Sequence, residues 1–332
     1  MTRRIIFVTG GAGFIGSNIV AKLTEDPDLD VVVCDRLREA ELGKWRNIAK
    51  HPIGDFVAPE SMFEWLEKRW RDVEMVVHMG AVSSTTEPDA DKIIHSNFTL
   101  SRDLFRWCAD HQRRFIYASS AATYGDASEF DDKQDIASLT ALRPLNTYGW
   151  SKALFDLFAA RQAARDYAPP QWVGLKFFNV YGPNEEHKHS MKSVASQIWP
   201  KVRDGHAVQL FKSYREGVAD GGQQRDFVYV RDVADVIAWL AKNEQVNGIY
   251  NLGSGVARTF EDMARAVFAA AGKAPEIEYT PMPPMIRDKY QYYTRAHMER
   301  LQEAGYNQPM TSLEEGISDY VKSYLSQPDP YR

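Results

Sequence analysis

The chain has 332 residues, of which 44% are hydrophobic and 26% charged, and its formal net charge is −5 at pH 7. This composition is typical of a soluble protein, and the negative balance argues against nucleic acid or an anionic membrane as the main partner. Cys34 and Cys108 are the only cysteines, and no segment reaches the roughly 18 apolar residues that cross a bilayer. We therefore expect a cytoplasmic enzyme without a disulfide framework.

The first predicted elements are a strand, a glycine turn and a helix. Residues 5–9 form a short apolar run, glycines follow at 10, 11, 13 and 16, and a helical pattern continues through Leu23. Glycine lets the backbone approach a pyrophosphate, and a helix N-terminus offers free N–H groups and a positive dipole end. This arrangement predicts a dinucleotide site at Gly10, Gly13 and Gly16.

A second predicted strand, 30–34, ends at Asp35, 19 residues after Gly16. An acidic residue at this distance binds the ribose 2′-hydroxyl of NAD. Arg36, Arg38 and Lys44 follow, and basic side chains here bind the 2′-phosphate of NADP instead. The residues leave the choice between NADP and NAD open.

Two further strands are predicted at 75–81 and 114–120, with a helix over 91–111 between them. Apolar runs alternating with helices indicate a parallel sheet covered on both faces, and ligands lie beyond the carboxyl ends of such strands. The loops 80–87 and 119–125 should therefore face the cofactor, with Ser120 as a donor to the reacting oxygen. No metal-ligand spacing accompanies His78 or His95, so no metal is expected.

The next predicted helix begins at Tyr148, runs to about Asp166 and carries Lys152 four residues after the tyrosine. Side chains at this spacing share one helix face. Because a neighbouring ammonium favours the phenolate, we expect Lys152 to lower the pKa of Tyr148 from about 10 towards neutral pH. Such a tyrosine exchanges a proton with a substrate hydroxyl.

The second half is predicted to interleave with the first. A strand over 172–181 ends the first region, and the segment 226–230, with the helix after it, returns to it. We predict an α/β protein in which a Rossmann-type doubly wound parallel sheet accompanies a smaller α/β substrate domain. Residues 1–178, rejoined by about 226–256, form the dinucleotide-binding domain, and 179–225 with 257–332 mainly form the substrate domain.

These motifs together resemble the extended branch of the short-chain dehydrogenase/reductase superfamily. The turn 9–16, the pair Ser119-Ser120 and the segment 148–152 carry the likeness. In that superfamily the tyrosine is the acid/base, the lysine lowers its pKa and holds the nicotinamide ribose, and the serine orients the reacting oxygen. The resemblance implies a nicotinamide cofactor and a nucleotide-sugar substrate.

Over nearly its whole length the chain is similar to the ADP-L-glycero-D-manno-heptose 6-epimerases of that branch. The matching segments are 78–87, 117–125, 178–183, 187–191, 225–230 and 290–294. The resemblance implies epimerisation of ADP-heptose at C6 through a transient ketone, in synthesis of the heptose precursor of the lipopolysaccharide core. It also implies NADP as cofactor and a homo-oligomer, a pentamer.

Motifs and resemblance together assign the site residues. Tyr148 and Lys188 are the expected acid/base groups, with Lys152 and Ser120 in support. The expected cofactor contacts are Gly10, Gly13, Phe14, Ile15, Gly16, Asp35, Arg36, Lys44, Met79, Gly80, Ala81, Val82, Ser83, Asn97, Tyr148, Lys152, Val180 and Lys188. The expected substrate contacts are Ser83, Ser120, Asn179, Ser190, Gln197, Phe211, Lys212, Ser213, Tyr214, Arg225 and Tyr290.

The chemistry explains why two acid/base groups are expected. Oxidation to a ketone and reduction on its other face need a proton acceptor for one step and a proton donor for the other. Lys188 can serve if burial depresses its pKa. Arg225 suits a diphosphate, because guanidinium binds phosphate oxygens bidentately, unless it pairs with Asp226 instead.

The chain departs from the family pattern on both sides of the site. Near the cofactor, Arg36 replaces Asn and Pro59 replaces Lys, so NAD stays an alternative to NADP. On the substrate side, Gln197 replaces His and 212–214 replace Glu-Gly-Ser, so the exact sugar stays open.

Three other functions compete with the 6-epimerase. A sugar 4-epimerase of the same fold stays possible. A 4,6-dehydratase is disfavoured, because Ala121-Ala122 stand where such enzymes have Asp-Glu. A cofactor-sensing regulator is disfavoured because such proteins usually lose the Tyr/Lys pair.

Overall fold

A seven-stranded parallel sheet forms the centre of the molecule. The computed structural model describes residues 4–38, 43–85, 87–287 and 290–332, so Thr86 in the predicted cofactor-facing loop lies outside them. The strands are β1 (Arg4–Thr9), β2 (Leu29–Cys34), β3 (Asp55–Val57), β4 (Val73–His78), β5 (Arg114–Ser120), β6 (Trp172–Phe177) and β10 (Gly248–Leu252). Their order across the sheet is β10-β6-β5-β4-β1-β2-β3.

Helices cover both faces of this sheet. They are α1 (Phe14–Leu23), α2 (Met62–Arg69), α3 (Ala90–Ile94), α4 (Leu100–Asp110), α5 (Ile136–Ala141), α6 (Thr147–Ala163) and α8 (Val230–Lys242). Side chains of a strand alternate between the faces, so Ile6 and Val8 of β1 pack in the core that contains α1 and α8. Ile5 and Phe7 pack in the other core, with α2, α4 and α6. The expected doubly wound α/β fold is confirmed.

A smaller unit follows the sixth strand. Its strands are β7 (Asn179–Tyr181), β8 (Val208–Phe211), β9 (Gln224–Tyr229), β11 (Ala257–Thr259) and β12 (Ile277–Thr280). They form a three-stranded sheet, β11-β9-β7, and a parallel pair, β12-β8. Its helices are α7 (Val194–Asp204), α9 (Phe260–Ala270), α10 (Pro284–Arg287) and α12 (Leu313–Tyr320), whereas α11 (Glu299–Glu303) packs against β10 of the large sheet. A third core joins α7, α9 and α12.

The predicted strand 172–181 is wrong as one element, because the chain changes sheets at Phe178 between β6 and β7. The segment 226–229 lies in the three-stranded sheet. In contrast, β10 is an edge strand of the large sheet, and α8 packs against that sheet. The division into two domains stays a prediction. In the described parts of the chain no helix is long and apolar enough to span a membrane.

Candidate active site

The turn between β1 and α1 leaves no room for side chains. Gly10 has a φ of +67°, and a Cβ there would lie 2.6 Å from the backbone nitrogen of Gly80. A Cβ on Gly16 would lie 2.1 Å from the carbonyl oxygen of Gly10. Gly13 caps α1 without a side-chain hydrogen bond, and the first helical turn contains no acidic residue. This bare, positive helix end fits the pyrophosphate of a dinucleotide.

Asp35 follows β2 and faces the same turn. Its Oδ2 accepts a hydrogen bond from the Ala12 N–H at 2.9 Å, and Lys44 Nζ donates to its Oδ1 at 2.5 Å. The exposed guanidinium of Arg36 forms an ion pair with Glu60 at 2.6 Å. Two of the three bases predicted to bind a 2′-phosphate, Arg36 and Lys44, therefore already have carboxylate partners.

Asn97 fixes the loop after β4. It lies in a π-helical turn, His95–Thr99, that interrupts the predicted helix 91–111 between α3 and α4. Its Oδ1 accepts from Val82 N at 2.8 Å, and its Nδ2 donates to Val82 O at 2.9 Å and to Ser151 Oγ at 3.1 Å. Asn97 therefore fastens the loop that carries Met79 to Ser83 against α6.

His78 has a structural role in the same region. Its ring nitrogens lie 2.7 Å from Thr9 Oγ1 and 2.9 Å from Ser101 Oγ. Complete burial lowers its pKa to about 3, so the ring is neutral near pH 7. The Thr9 hydroxyl also accepts from the Gly80 N–H at 3.2 Å, which ties β1 to the loop after β4.

Ser120 and Tyr148 come together where β5 ends and α6 begins. Burial raises the pKa of the Tyr148 phenol, and a hydrogen bond with the Ser120 side chain lowers it. Lys152 is buried, and its Nζ donates to Ala118 O at 2.7 Å. Burial lowers the pKa of Lys152 to about 8, and Asp156 acts in the opposite direction.

The expectation that Lys152 lowers the pKa of Tyr148 is wrong in this structure, in which the pKa of the phenol is raised. The ammonium donates to the Ala118 carbonyl, and desolvation of the phenol has the larger effect. Sequence spacing shows which side chains share a face but not how deeply they are buried.

Lys188 packs on the helix of the glycine turn. It lies in the 3₁₀ helix Glu186–Met191, with its Nζ 4.8 Å from the centroid of the Phe14 ring. Burial lowers the pKa of Lys188, and the buried Glu185 carboxylate raises it. The pKa of His187 is lowered to about 4 by burial and by the charges of Lys44 and Lys188. The condition set for Lys188, that burial lowers its pKa, is met in direction.

Arg225 is a buried arginine that faces aromatic rings. Its guanidinium carbon lies 5.3 Å from the Tyr290 ring centroid and 5.6 Å from that of Phe260. Among the residues that the structure describes it forms no ion pair with a carboxylate. The alternative pairing with Asp226 is wrong, because that carboxylate accepts from the backbone of 254, 255 and 296. A buried guanidinium of this kind fits an anionic ligand.

An aromatic group surrounds this arginine. Tyr290 makes edge contacts with Phe211, at 6.4 Å between ring centroids, and with Tyr292, at 5.7 Å. The Tyr214 N–H donates to the Tyr292 hydroxyl at 2.9 Å, and the Arg287 guanidinium lies 3.9 Å from the Tyr214 ring centroid. Sequence reasoning missed Tyr292 and Arg287. The run of tyrosines at 290–293 was a signal for Tyr292, and no pattern indicated Arg287.

The remaining predicted substrate contacts lie at or near the surface, with Gln197 in α7, Asn179 in β7 and the pair Lys212-Ser213 in the loop after β8. Gln197 donates to the carbonyls of Ser190 at 3.2 Å and Lys192 at 2.7 Å, so it fastens the loop beside Lys188. The Ser213 N–H donates to Asp220 at 2.7 Å, and Lys212 and Asn179 are exposed. Val180, in β7, is half-buried. In the described parts of the chain no group of His, Cys, Asp and Glu could hold a metal ion.

Comparison with known proteins agrees with this geometry. The profile of the NAD dependent epimerase/dehydratase family matches residues 6–253. The ADP-L-glycero-D-manno-heptose-6-epimerase of Nitratidesulfovibrio vulgaris (strain DP4) is 46% identical over 328 residues, 98% of this chain and 99% of that protein.

Solved structures of two related enzymes share the fold. The ADP-L-glycero-D-manno-heptose-6-epimerase of Helicobacter pylori superposes with a TM-score of 0.81 at 28% identity, covering 98% of this chain and 97% of that one. The UDP-glucose 4-epimerase of Thermus thermophilus, solved with NAD, gives 0.71 at 28% identity, covering 95% and 96%. The chain therefore belongs to the NAD dependent epimerase/dehydratase family and, within it, to the ADP-L-glycero-D-manno-heptose-6-epimerases.

Proposed function

We propose that the protein interconverts ADP-D-glycero-D-manno-heptose and ADP-L-glycero-D-manno-heptose at C6, with tightly bound NADP. The observation that supports this proposal is that two unlike side chains able to exchange protons each lie next to a different part of the expected cofactor site. Tyr148 bonds with Ser120 at the end of β5, and Lys188 packs on Phe14 in the first turn of α1.

The residues divide the reaction between them. A bound nicotinamide would supply hydride transfer from C6 and back to the opposite face, with no net oxidation. One of Tyr148 and Lys188 takes the hydroxyl proton as the C–H bond breaks, and the other gives a proton to the ketone oxygen as the hydride returns. Ser120 donates a hydrogen bond to the reacting oxygen, and Lys152 orients the ribose.

NADP is favoured over NAD by the two bases beside Asp35. Lys44 and Arg36 each have a carboxylate partner within 2.6 Å, and a 2′-phosphate at this place would share or replace those carboxylates. The test is to release the cofactor by denaturation and weigh it by mass spectrometry. We expect NADP, and NAD alone would contradict this assignment.

The ADP moiety is assigned to the region around Arg225. A buried guanidinium without a carboxylate partner among the described residues suits a diphosphate, and Tyr290, Phe211 and Tyr214 provide flat surfaces for the nucleotide. Lys212 and Ser213 lie on the same loop as Tyr214. The altered loop 212–214 and Gln197 would then determine how the heptose is held.

We also propose a homo-oligomer, a pentamer, that acts in the cytoplasm in lipopolysaccharide core precursor synthesis. The resemblance described in the sequence analysis implies this assembly and pathway. Light scattering of the purified protein tests the assembly, and a monomer at micromolar concentration would contradict it.

The decisive experiment is to incubate the purified protein with ADP-D-glycero-D-manno-heptose and resolve the two epimers. We expect conversion to a mixture from either epimer. Conversion of a UDP-hexose instead would show a 4-epimerase, and no turnover of any nucleotide sugar would favour a cofactor-binding regulator.

The two-base scheme is tested separately from the substrate. Tyr148→Phe and Lys188→Met should each abolish most epimerisation while the cofactor stays bound. Full activity of Lys188→Met would refute the scheme but not the substrate.

A further inference from the structure

Three buried asparagines lie where the cofactor helix meets the loop of Lys188. Asn18 of α1 and Asn47 of the 3₁₀ helix Lys44–Asn47 are 0% exposed, and Asn184 is 1% exposed. None of the three belongs to the expected site residues. We call Asn18, Asn47 and Asn184 the asparagine cluster.

Two members of the cluster fasten the Lys188 loop to α1. Asn184 Nδ2 donates to Ser17 Oγ at 3.0 Å and to the carbonyl oxygen of Asn47 at 3.3 Å. Asn18 Nδ2 donates to the carbonyl oxygens of Phe14 and Pro183, both at 3.0 Å. The start of the loop is therefore bonded to the first two turns of the helix that carries Phe14.

The third member connects the glycine turn to the residue before Lys188. Asn47 Nδ2 donates to Ala12 O at 2.9 Å and lies 3.2 Å from His187 Nδ1. Since Nδ1 accepts this hydrogen bond and the ring is neutral, the proton of His187 lies on Nε2. The amide thus fixes both the position and the tautomer of the neighbour of Lys188.

Residues 331–332 close the cluster from the other side. The main-chain N–H of Arg332 donates to Asn184 Oδ1 at 2.9 Å, and its guanidinium lies 3.3 Å from Asn18 Oδ1. Lys50 Nζ donates to the carbonyl of Tyr331 at 2.6 Å, which ties this segment to the loop after Asn47. Both the amide nitrogen and the amide oxygen of Asn184 therefore have partners within the protein.

We propose that Asn184 is a positioning residue that holds Lys188 against the cofactor helix. This inference rests on the two-base function proposed above. Asn184 has a φ of +75°, a left-handed conformation that asparagine tolerates better than most residues, and its amide links three separate segments. Without the amide, the N–H of Arg332 loses its partner, and the Ser17 hydroxyl keeps only the carbonyl oxygen of Phe14. The loop is then fastened to α1 only through Asn18 and Pro183, among the bonds named above, and Lys188 is held less firmly.

The variant that tests this is Asn184→Gly, because glycine keeps the left-handed backbone while it removes the side chain with its amide. Gln171→Ala is the matched control. Gln171 is also a buried amide, 0% exposed, that donates to two carbonyls, at 3.2 Å and 2.9 Å. It precedes β6 at the amino-terminal edge of the sheet, opposite the site.

The first measurement is amide hydrogen exchange of the purified protein without substrate. In Asn184→Gly we expect faster exchange over 184–190 and unchanged exchange over 147–156, the start of α6. Equal protection of 184–190 in variant and wild type would overturn the proposal.

The second measurement is the rate of epimerisation starting from each epimer, with the accumulation of reduced cofactor followed by absorbance. A displaced Lys188 impairs only one proton transfer. In Asn184→Gly we therefore expect kcat to fall about 100-fold, the effect of misplacing a reacting group by an ångström, with little change in KM. Reduced cofactor should accumulate from one epimer only, as in Lys188→Met.

The outcomes separate the inference from the function on which it rests. An inactive wild type would refute the function. If Lys188→Met shows the one-sided accumulation and Asn184→Gly does not, the positioning role alone is refuted. The same kinetic change in Gln171→Ala would also refute it, because any buried amide would then have the same effect.

Discussion

The buried ion pair between Asp156 and Lys176, close to Ser120 in the fold, predicts a large effect of mutation on stability. Asp156 and Lys176 are 0% and 1% exposed, and Lys176 Nζ donates to Asp156 Oδ2 at 2.7 Å. The same carboxylate accepts from Tyr117 OH at 2.9 Å and Ser119 Oγ at 2.7 Å. Lys176 also donates to Thr123 Oγ1 at 2.7 Å, so the pair supports the residues on both sides of Ser120.

Asp156→Asn leaves the Lys176 ammonium buried without a counter-charge. Breaking a buried pair from one side costs about 3–5 kcal/mol of unfolding free energy, because the remaining charge stays out of water. The double variant Asp156→Asn with Lys176→Met leaves no charge and should regain most of this loss. Unfolding in urea, followed by both fluorescence and circular dichroism, measures the unfolding free energy of the wild type, the two single variants and the double variant.

The same substitution has a functional signature. Asp156 raises the pKa of Lys152, which burial holds at about 8, so Asp156→Asn lowers that pKa further. In the proposed mechanism Lys152 acts as an ammonium, so the activity deficit of the variant should be small at low pH and grow as pH rises. A pH profile of kcat in wild type and variant measures this change.

Two results would refute the reasoning about the pair. One is a loss of less than about 1 kcal/mol of unfolding free energy in Asp156→Asn, because an exposed ion pair contributes that much. The other is a double variant as unstable as the single one, because the loss would then not come from an unpaired charge.

Three further predictions concern the cofactor and substrate sides. Glu185→Gln should lower the pKa of Lys188, because the buried carboxylate raises this pKa against the effect of burial. The pH dependence of Lys188 acylation measures the pKa, and an unchanged or higher value would contradict the prediction. Gly16→Ala should yield protein without nicotinamide, because the added Cβ would lie 2.1 Å from Gly10 O; wild-type cofactor content after purification would count against it. Arg225→Lys should raise the KM for ADP-heptose by about tenfold through loss of bidentate binding, and an unchanged KM would exclude a diphosphate contact there.

The parts of the fold that follow from local pattern were predictable. The strand, glycine turn and helix at 5–23 were recognised because apolar run, glycines and helical period are all contiguous in the chain. The helix opening at Tyr148 was predicted to run to about Asp166 and is observed as Thr147–Ala163. A helix end is set by solvent and packing as well as by sequence, so an error of a few residues is expected.

Features that depend on distant partners were not predictable. Asn97 in the π turn at 95–99 bonds with Val82 and Ser151, which are distant in sequence, and no residue pattern in the helix signals the turn. The contact of Arg332 with Asn184 joins residues 148 positions apart. The raised pKa of Tyr148 was missed for the same reason, since its burial depends on the whole fold.

The two proposed acid/base groups respond to burial in opposite directions. Desolvation disfavours charge, so it raises the pKa of Tyr148 and lowers that of Lys188. Both therefore move towards their uncharged forms, a phenol that holds a proton and an amine that can accept one. The proposed cycle needs one acceptor for the hydroxyl proton and one donor to the ketone oxygen, so a single physical cause prepares both roles. Two buried tyrosines would both keep their protons, so neither could accept the hydroxyl proton at the start of the oxidation. A phenol together with an amine provides one proton donor and one proton acceptor.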